Sequence, residues 1–293
     1  QAGGHGSLPK LCDNLGIQYA PIPYDYMRMQ IDYDGLNQIL EQDSRVSFLF
    51  FCQSDIIQPP ELQKINLPPK VGIIYDATQT LGLIAGGALP NPLEACQNII
   101  MIGGTHKTFP SVTCGYVATN NDNYINRVKQ NISPNFLRNV QVNNITSVCL
   151  SMLEMLKFGE AYAQKIIWTA NALGDALSGD GLRVKCTEDG AFSHTHQLFI
   201  EVPKEQVDIS YTHFRNYGIT LNKRKTAYLT GFRLGVQEIA RYHFDEHIAN
   251  LAHLLCLVLN SPEKYHEIMN LKATLALCKS DQYVIDDLFM ELE

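Results

Sequence analysis

The feature that most constrains this chain is a series of short apolar runs in its first 120 residues. The runs are continuous rather than alternating, which is typical of strands buried on both faces of a mostly parallel sheet. Helix-like segments at 33–42 and 91–96 lie between them, at a spacing that fits β-α-β units. The apolar runs occupy residues 46–51, 71–75, 98–102 and 115–119.

The pattern changes after residue 133. Apolar residues recur there at intervals of three and four, as in Val148, Met152 and Met155, which predicts one or two long helices over 133–177. Strands are then predicted at 182–186, 197–202 and 219–222, and helices at 204–217, at 244–260 and in a segment ending near 293. The predicted fold class is therefore α/β. A large, mostly parallel α/β domain with a long linking helix (1–177) precedes a small α+β domain (178–293).

Composition excludes several classes of function. The net charge of −7, with no block of lysine or arginine, argues against a surface that binds nucleic acid or anionic membranes. No apolar run reaches the roughly 18 residues needed to span a bilayer, and no signal-peptide pattern is present. The eight cysteines are scattered without a CxxC motif, which favours a reduced, cytoplasmic protein over a disulfide scaffold. His194 and His196 lack neighbouring ligands, so no metal site is predicted.

Two polar residues follow neighbouring apolar runs. Asp76 ends residues 73–76 (IIYD), and Lys107 lies in residues 103–108 (GGTHKT). Ligands bind at the carboxyl ends of strands in open α/β sheets. A lysine that forms an internal aldimine and a carboxylate that keeps a pyridine nitrogen protonated are what pyridoxal phosphate (PLP) requires. Taken alone, the pair fits an aspartate that caps a helix and a lysine on the surface better than it fits a PLP site.

The sequence around this pair resembles that of serine hydroxymethyltransferases, and the resemblance extends over nearly the whole chain. Residues 75–87 read YDATQTLGLIAGG and residues 105–110 read THKTFP, the latter being similar to the family's loop around its Schiff-base lysine. Further similar segments, in the family's order, are HGS at 5–7, IDYDGL at 31–36, THQL at 195–198 and GFRLG at 231–235.

The resemblance implies a PLP-dependent transferase of fold type I and a role for each matching residue. Lys107 forms the aldimine, Asp76 pairs with the ring nitrogen, His5 stacks on the ring, and the Arg233 guanidinium grips the substrate carboxylate. His106 either touches the cofactor phosphate or only packs. The implied catalytic residues are Lys107, Asp76 and His5; the implied cofactor-binding residues are these three with Gln79, Thr105 and His106; and the implied substrate-binding residue is Arg233.

The chain departs from the family's pattern in four places, one of which is the lysine loop, where Gly103-Gly104-Thr105 replaces a run of threonines and Pro110 and Thr113 stand where arginines are expected. Gln79 replaces a histidine near the cofactor's phenolic oxygen, so it donates a hydrogen bond but does not titrate. Only residues 224–230 separate Lys223 from the GFRLG motif, where the family has a longer loop that helps hold tetrahydrofolate. The shorter loop weighs against folate-dependent chemistry. The sequence starts at Gln1, without the family's amino-terminal segment and its phosphate-binding loop.

The expected function is formation or cleavage of the Cα–Cβ bond of a β-hydroxy amino acid, through a glycyl quinonoid on PLP. The expected substrates are glycine, serine, threonine or an analogue, with chemistry of the hydroxymethyltransferase, threonine aldolase or transaldolase type. Two alternatives stay open: a catalytically incomplete fragment or pseudoenzyme subunit, and an aminotransferase-like enzyme on the same fold. Expected partners are a second copy in a homodimer and a chain that supplies the missing segment.

Overall fold

The computed structural model describes residues 6–133, 135–226, 229–242, 244–278 and 283. The chain divides into two compact units, Gln1–Glu160 and Ala161–Glu293. The domain division predicted from the sequence, at 177/178, stays a prediction. Over the part of the chain that the structure describes, no helix is long and apolar enough to cross a membrane.

The first unit is built around a four-stranded sheet. In the order β3-β4-β5-β6, the first three strands are parallel and β6 runs antiparallel to β5. This confirms the α/β class and the predicted strands of the first 120 residues. The strands are β1 (Tyr24–Asp25), β2 (Gln30–Ile31), β3 (Phe48–Phe51), β4 (Gly72–Asp76), β5 (Ile99–Gly104) and β6 (Gly115–Ala118). The helices are α1 (Ser7–Leu15), α2 (Tyr33–Gln42), α3 (Leu81–Ala85), α4 (Asp122–Ile132) and the start of α5 (Val142–Gly179).

Helix α2 packs on one face of this sheet. It begins at Tyr33 because the Asp32 carboxylate accepts a hydrogen bond from the Gly35 amide at 3.0 Å and so caps the first turn. Leu36 and Leu40 are its buried residues, and they belong to one apolar cluster with alternate residues of the strands. Burial of such side chains contributes about 1.5–3 kcal/mol each. The other members of the cluster are Ile31, Leu49, Phe51, Ile65, Val71, Ile73, Tyr75, Ala77, Ile99 and Met101.

Two helix predictions in this region were wrong in extent. The helix predicted over 91–96 is a single 3₁₀ turn, Pro92–Glu94, whose start is capped by the Asn91 side chain. The long helix predicted over 133–177 is α5, which begins later, at Val142, and helix α4 was not predicted. The Asn121 side chain accepts hydrogen bonds from two amides of its first turn and sets its start at Asp122.

The second unit contains a three-stranded antiparallel sheet of order β7-β9-β8. Phe199, Phe214 and Phe232 are fully buried in this unit, and the rings of Phe214 and Phe232 meet edge to face at 5.2 Å. Its elements are the end of α5, β7 (Gln197–Glu201), α6 (Val207–Asn216), β8 (Asn222–Lys225), β9 (Thr230–Gly235), α7 (Ile248–Asn260) and α8 (Tyr265–Leu275).

The strands of this unit differ from the sequence prediction in two ways. The strand predicted at 182–186 is reduced to one bridge between Val184 and Ile200. The strand predicted at 219–222 is displaced to β8, and the GFRLG motif itself forms β9, which pairs with both neighbours. The position of Arg233 is therefore fixed by two ladders of backbone hydrogen bonds.

We predict that Gly231→Ala destabilises the second unit. Gly231 has φ +137°, and a Cβ added there would lie 2.0 Å from the backbone oxygen of Ile200. The backbone must shift or break its ladder, so the free energy of unfolding should fall by about 2–4 kcal/mol in a urea titration. Gly179→Ala is the matched control, because an added Cβ at Gly179 meets nothing within 4 Å. Equal stability of the two variants would contradict the prediction.

Candidate functional site

The Asp76 carboxylate lies at the carboxyl end of β4, where three donors hold it. The Thr78 amide and the Thr78 hydroxyl donate to Oδ1 at 2.9 and 2.5 Å, and the Cys52 thiol donates to Oδ2 at 3.2 Å. The Thr78 hydroxyl also accepts a hydrogen bond from the Gly104 amide at 3.0 Å. Because Gly104 ends β5, this chain of hydrogen bonds ties the carboxylate to the neighbouring strand.

The loop that carries Lys107 begins directly after β5 and is closed at its base by Thr105. The Thr105 hydroxyl donates to the Val112 oxygen at 2.6 Å and accepts from the Cys114 amide at 3.1 Å. The Thr105 amide donates to the Cys114 oxygen at 3.0 Å. Thr105 is 4% exposed, so these bonds are shielded from water and fix both ends of the loop.

Thr108 holds the other side of Lys107. Its fully buried hydroxyl donates to the Gln79 oxygen and accepts from the Gly82 amide, each at 3.0 Å. A Cβ on Gly82 would lie 2.2 Å from the Thr108 oxygen, so only glycine permits this approach of α3 to the loop. The lysine loop is thereby joined to the segment that follows Asp76.

Between these two threonines, Lys107 is half-buried. Its amine makes no hydrogen bond or ion pair with any residue that the structure describes. Residue His106 is exposed, and its ring lies against Gly104, where an added Cβ would be 2.8 Å from the histidine Cε1. An amine in rigid surroundings and without a partner of its own is suited to a covalent bond with a ligand.

Two polar side chains near Asp76 were missed in the sequence analysis. The amide nitrogen and oxygen of Gln53 and the hydroxyl of Tyr116 are buried, and they have no hydrogen-bond partner among the described residues. Burial, and next the charge of Asp76, raises the pKa of Tyr116, which keeps its phenol a neutral donor. Buried groups of this kind are costly unless a ligand or water satisfies them.

Gln53 and Asp76 line the same cleft. Burial raises the pKa of Tyr75 on its wall to about 12, so this phenol is also neutral at physiological pH. The cleft offers one carboxylate, two amide side chains and aromatic rings to a ligand. Its lining consists of Phe51, Gln53, Ile56, Pro60, Tyr75, Asp76, Gln79 and Thr80.

The structure places the other predicted residues as follows. Gln79 lines the cleft beside Asp76, and Thr105 and His106 lie in the loop that holds Lys107. In the second unit, Arg233 lies in β9, opposite Phe199 of β7 and Asn222 of β8. His5 lies outside the described residues. Among the described residues, no group of three histidine, cysteine or acidic side chains is placed to hold a metal ion.

Comparison with protein-family models found no match. Curated proteins do match: serine hydroxymethyltransferase of Sulfolobus acidocaldarius is 32% identical over 262 residues, which cover 84% of this chain and 59% of that protein. The enzyme of the same name from Aeropyrum pernix is 30% identical over 285 residues, which cover 91% of this chain and 64% of that protein. The chain thus spans about three fifths of the length of these relatives.

A solved structure shares the fold. The L-threonine transaldolase of Pseudomonas fluorescens superposes with a TM-score of 0.87, over 99% of this chain and 69% of that chain, at 24% sequence identity. The sequence matches cover most of this chain, and the superposition covers nearly all of it. Over most of its length this chain is therefore similar in sequence to serine hydroxymethyltransferases, and it shares the fold of the threonine transaldolase.

Proposed function

We propose that this chain binds PLP, with Lys107 as its covalent anchor and Asp76 as the partner of its ring nitrogen. The observation that carries the proposal is the hydrogen-bonded connection from Asp76 through Thr78 to Gly104. It holds the carboxylate at the end of β5, and Lys107 follows Gly104 after two intervening residues. The names of the relatives support the proposal, because they point to enzymes that act on amino acids.

The donor set fits this cofactor. An ionised carboxylate has about four acceptor positions, and the described donors use three of those of Asp76, two on Oδ1 and one on Oδ2. One position on Oδ2 is left for a protonated ring nitrogen. The unsatisfied Gln53 amide is suited to the polar atoms of such a ligand.

Bound PLP withdraws electrons from the bonds at the Cα of an amino acid, and the side chains of this chain position both partners. Asp76 holds the proton on the ring nitrogen, because its charge favours the protonated form. Lys107 would hold the cofactor covalently through its amine. The guanidinium of Arg233 binds the substrate carboxylate in bidentate fashion and orients the Cα bonds. Gln79 contributes a hydrogen bond that does not change with pH.

The proposed reaction is cleavage or formation of the Cα–Cβ bond of a β-hydroxy amino acid. The relatives reported above are named hydroxymethyltransferase and transaldolase, and neither name refers to transfer of an amino group. The aminotransferase alternative is therefore not favoured. The shortened loop over 224–230 makes retro-aldol or transaldolase chemistry the better expectation than folate-dependent transfer, and this stays a prediction.

A homodimer is the proposed assembly. Apolar residues of α5 recur at heptad spacing and are largely exposed: Val142 is 70% exposed, Ile145 46%, Met152 51% and Leu156 83%. A stripe of this kind on one helix is the seam along which helices pair. The matched residues cover about three fifths of the curated relatives. Activity of the 293 residues alone is therefore the point on which the enzyme and the incomplete-subunit alternatives differ.

The anchoring role of Lys107 predicts covalent trapping at one residue. Purified protein mixed with PLP should develop a yellow absorbance band, and borohydride should fix the cofactor to Lys107, as located by peptide mass spectrometry. Lys107→Ala should lose both signals, because it removes the amine to which the proposal assigns the covalent bond. Lys129→Ala, an exposed lysine of α4, is the matched control and should retain them. A folded wild-type protein without the band would favour the incomplete-subunit alternative.

The role of Asp76 predicts weaker cofactor binding in Asp76→Asn. The amide keeps an acceptor for Thr78 but removes the charge, and a hydrogen bond to a charged group contributes about 1.5–3 kcal/mol. The dissociation constant for PLP in equilibrium dialysis should therefore rise about 10- to 150-fold. Asp43→Asn, which alters an exposed ion pair with Arg45, should leave it unchanged. Unchanged affinity in Asp76→Asn would contradict the assignment.

The structure of the loop predicts that Thr108→Val slows trapping at Lys107 while leaving the lysine in place. The variant keeps the side-chain shape and loses both hydrogen bonds that tie the loop to Gln79 and Gly82. It should lower the free energy of unfolding by about 1–3 kcal/mol and broaden the yellow band. Thr108→Ser retains the hydroxyl and should restore the band. Equal trapping rates in valine and serine variants would show that the loop needs no such support.

A further inference from the structure

The end of β3 brings a thiol to the Asp76 carboxylate. Strands β3 and β4 are parallel, and Phe51 of β3 is in register with Tyr75 of β4. One residue further along each strand, Cys52 therefore lies beside Asp76. Side chains in register on neighbouring parallel strands point to the same face of the sheet. The pairing that builds the sheet thus also directs the thiol towards the carboxylate.

The thiol bonds to the carboxylate oxygen that Thr78 does not contact. Cys52 donates to Oδ2 of Asp76 at 3.2 Å, whereas both hydrogen bonds from Thr78 go to Oδ1. A thiol is a weak donor, but a charged acceptor makes a hydrogen bond roughly twice as strong as a neutral one does. Among the residues that the structure describes, Cys52 is the one donor that holds Oδ2.

A carboxylate held at both oxygens is more definite in position than one held at a single oxygen. If only Oδ1 of Asp76 were held, the plane of the carboxylate could still turn and carry Oδ2 with it. With the thiol on Oδ2, the plane is fixed and the remaining acceptor position points in one direction. A ligand that bonds there meets a group that is already ordered. Ordering a side chain only on binding lowers the affinity by about 2- to 10-fold.

A partly buried cysteine more often serves as a small apolar side chain that fills space. Cys96, in the same unit, is an example, because it is partly buried and packs against the apolar cluster under α2. Cys52 is also partly buried, but its sulfur contacts a charged oxygen of Asp76. The contact of Cys52 is therefore directional and polar, and space filling does not account for it.

The residue after Cys52 indicates that the end of β3 belongs to a ligand-binding cleft. Gln53 lines the same cleft as Asp76. Both polar atoms of its amide are buried and have no hydrogen-bond partner among the described residues, and groups of this kind call for a bound group. Cys52 is not among the described residues that line the cleft. Its sulfur therefore supports the carboxylate from outside the cleft and does not compete with a ligand.

We propose that Cys52 is a positioning residue of the site, which acts on the ligand only through Asp76. Its thiol holds Oδ2 so that the free acceptor position of the carboxylate is directed at the ring nitrogen of PLP. This role rests on the proposed binding of PLP and adds to it a residue that touches neither the cofactor nor the substrate. The thiol itself undergoes no reaction.

The test measures the dissociation constant for PLP in variants of Cys52, by equilibrium dialysis of the 293-residue chain. Cys52→Ala removes the donor and should raise the constant about 2- to 10-fold. Cys52→Ser keeps a donor on the same Cβ and should stay within about twofold of the wild type. Cys96→Ala removes the sulfur of a cysteine that packs against the apolar cluster. It is the matched control and should leave the constant unchanged.

A double-mutant cycle with Asp76→Asn separates positioning from packing. In the Asp76→Asn background the charge on which the thiol acts is absent, so Cys52→Ala should change the dissociation constant by less than about 1.5-fold. A thiol that only supports the packing of β3 would weaken binding by the same factor in both backgrounds, because independent effects add. Equal factors in the two backgrounds overturn the proposal, and so does wild-type affinity in the single variant Cys52→Ala.

Two further measurements keep the outcomes distinct. Cys52→Val fills the space of the sulfur without a donor, so it replaces the alanine variant if a urea titration shows that variant to be unfolded, and wild-type affinity in the valine variant overturns the proposal. Borohydride trapping at Lys107, at saturating PLP, should succeed in the wild type and in every Cys52 variant. Failure of trapping in the wild type counts against PLP binding and, with it, against the role of Cys52. Trapping in all variants with equal dissociation constants counts against the role of Cys52 alone.

Discussion

The site depends on one short path of hydrogen bonds, from the Gly104 amide to the Thr78 hydroxyl and from there to the Asp76 carboxylate. Without this path, only the backbone hydrogen bonds between β4 and β5 would fix the ends of the two strands relative to each other. Those bonds stop at the end of β4. The path fixes the carboxylate relative to the loop that begins at Thr105. Because a carboxylate at a strand end is partly accessible to water, directional bonds to it are what make its position definite.

Small residues also hold the loop that carries Lys107. Thr105 closes its base, Thr108 ties it to the segment after Asp76, and Gly82 allows the two backbones to approach closely. Lys107 itself contributes nothing to this framework, since the bonds are made by its neighbours. The neighbours of Lys107 thus fix the backbone of the loop, and the amine of Lys107 stays open to a ligand.

Much of the first unit could be predicted from the sequence, because its strands are continuous apolar runs and each ends in a conspicuous polar residue. The same rule applied to β3 would have identified Cys52 and Gln53, which directly follow Phe51. Tyr116 was beyond such reasoning, because only the antiparallel pairing of β6 with β5 brings it opposite Gly103. Strand β9 was missed for a related reason: its alternation is interrupted by Gly231, whose close approach to Ile200 is visible only in three dimensions.

The apolar runs of β3, β4 and β5 have a consequence beyond the prediction of strands. A run without alternation specifies burial on both faces, whereas the structure buries one face and leaves the row from Phe50 to Ile100 incompletely covered. Helix α2 accounts for half of that pattern. On the opposite face, Phe48 and Val117 remain 45% and 37% exposed. Side chains two residues apart on a strand share a face, so Asp76 lies on the same face as Ile74, and the alternation that separates the two faces of β4 also sets the position of the carboxylate.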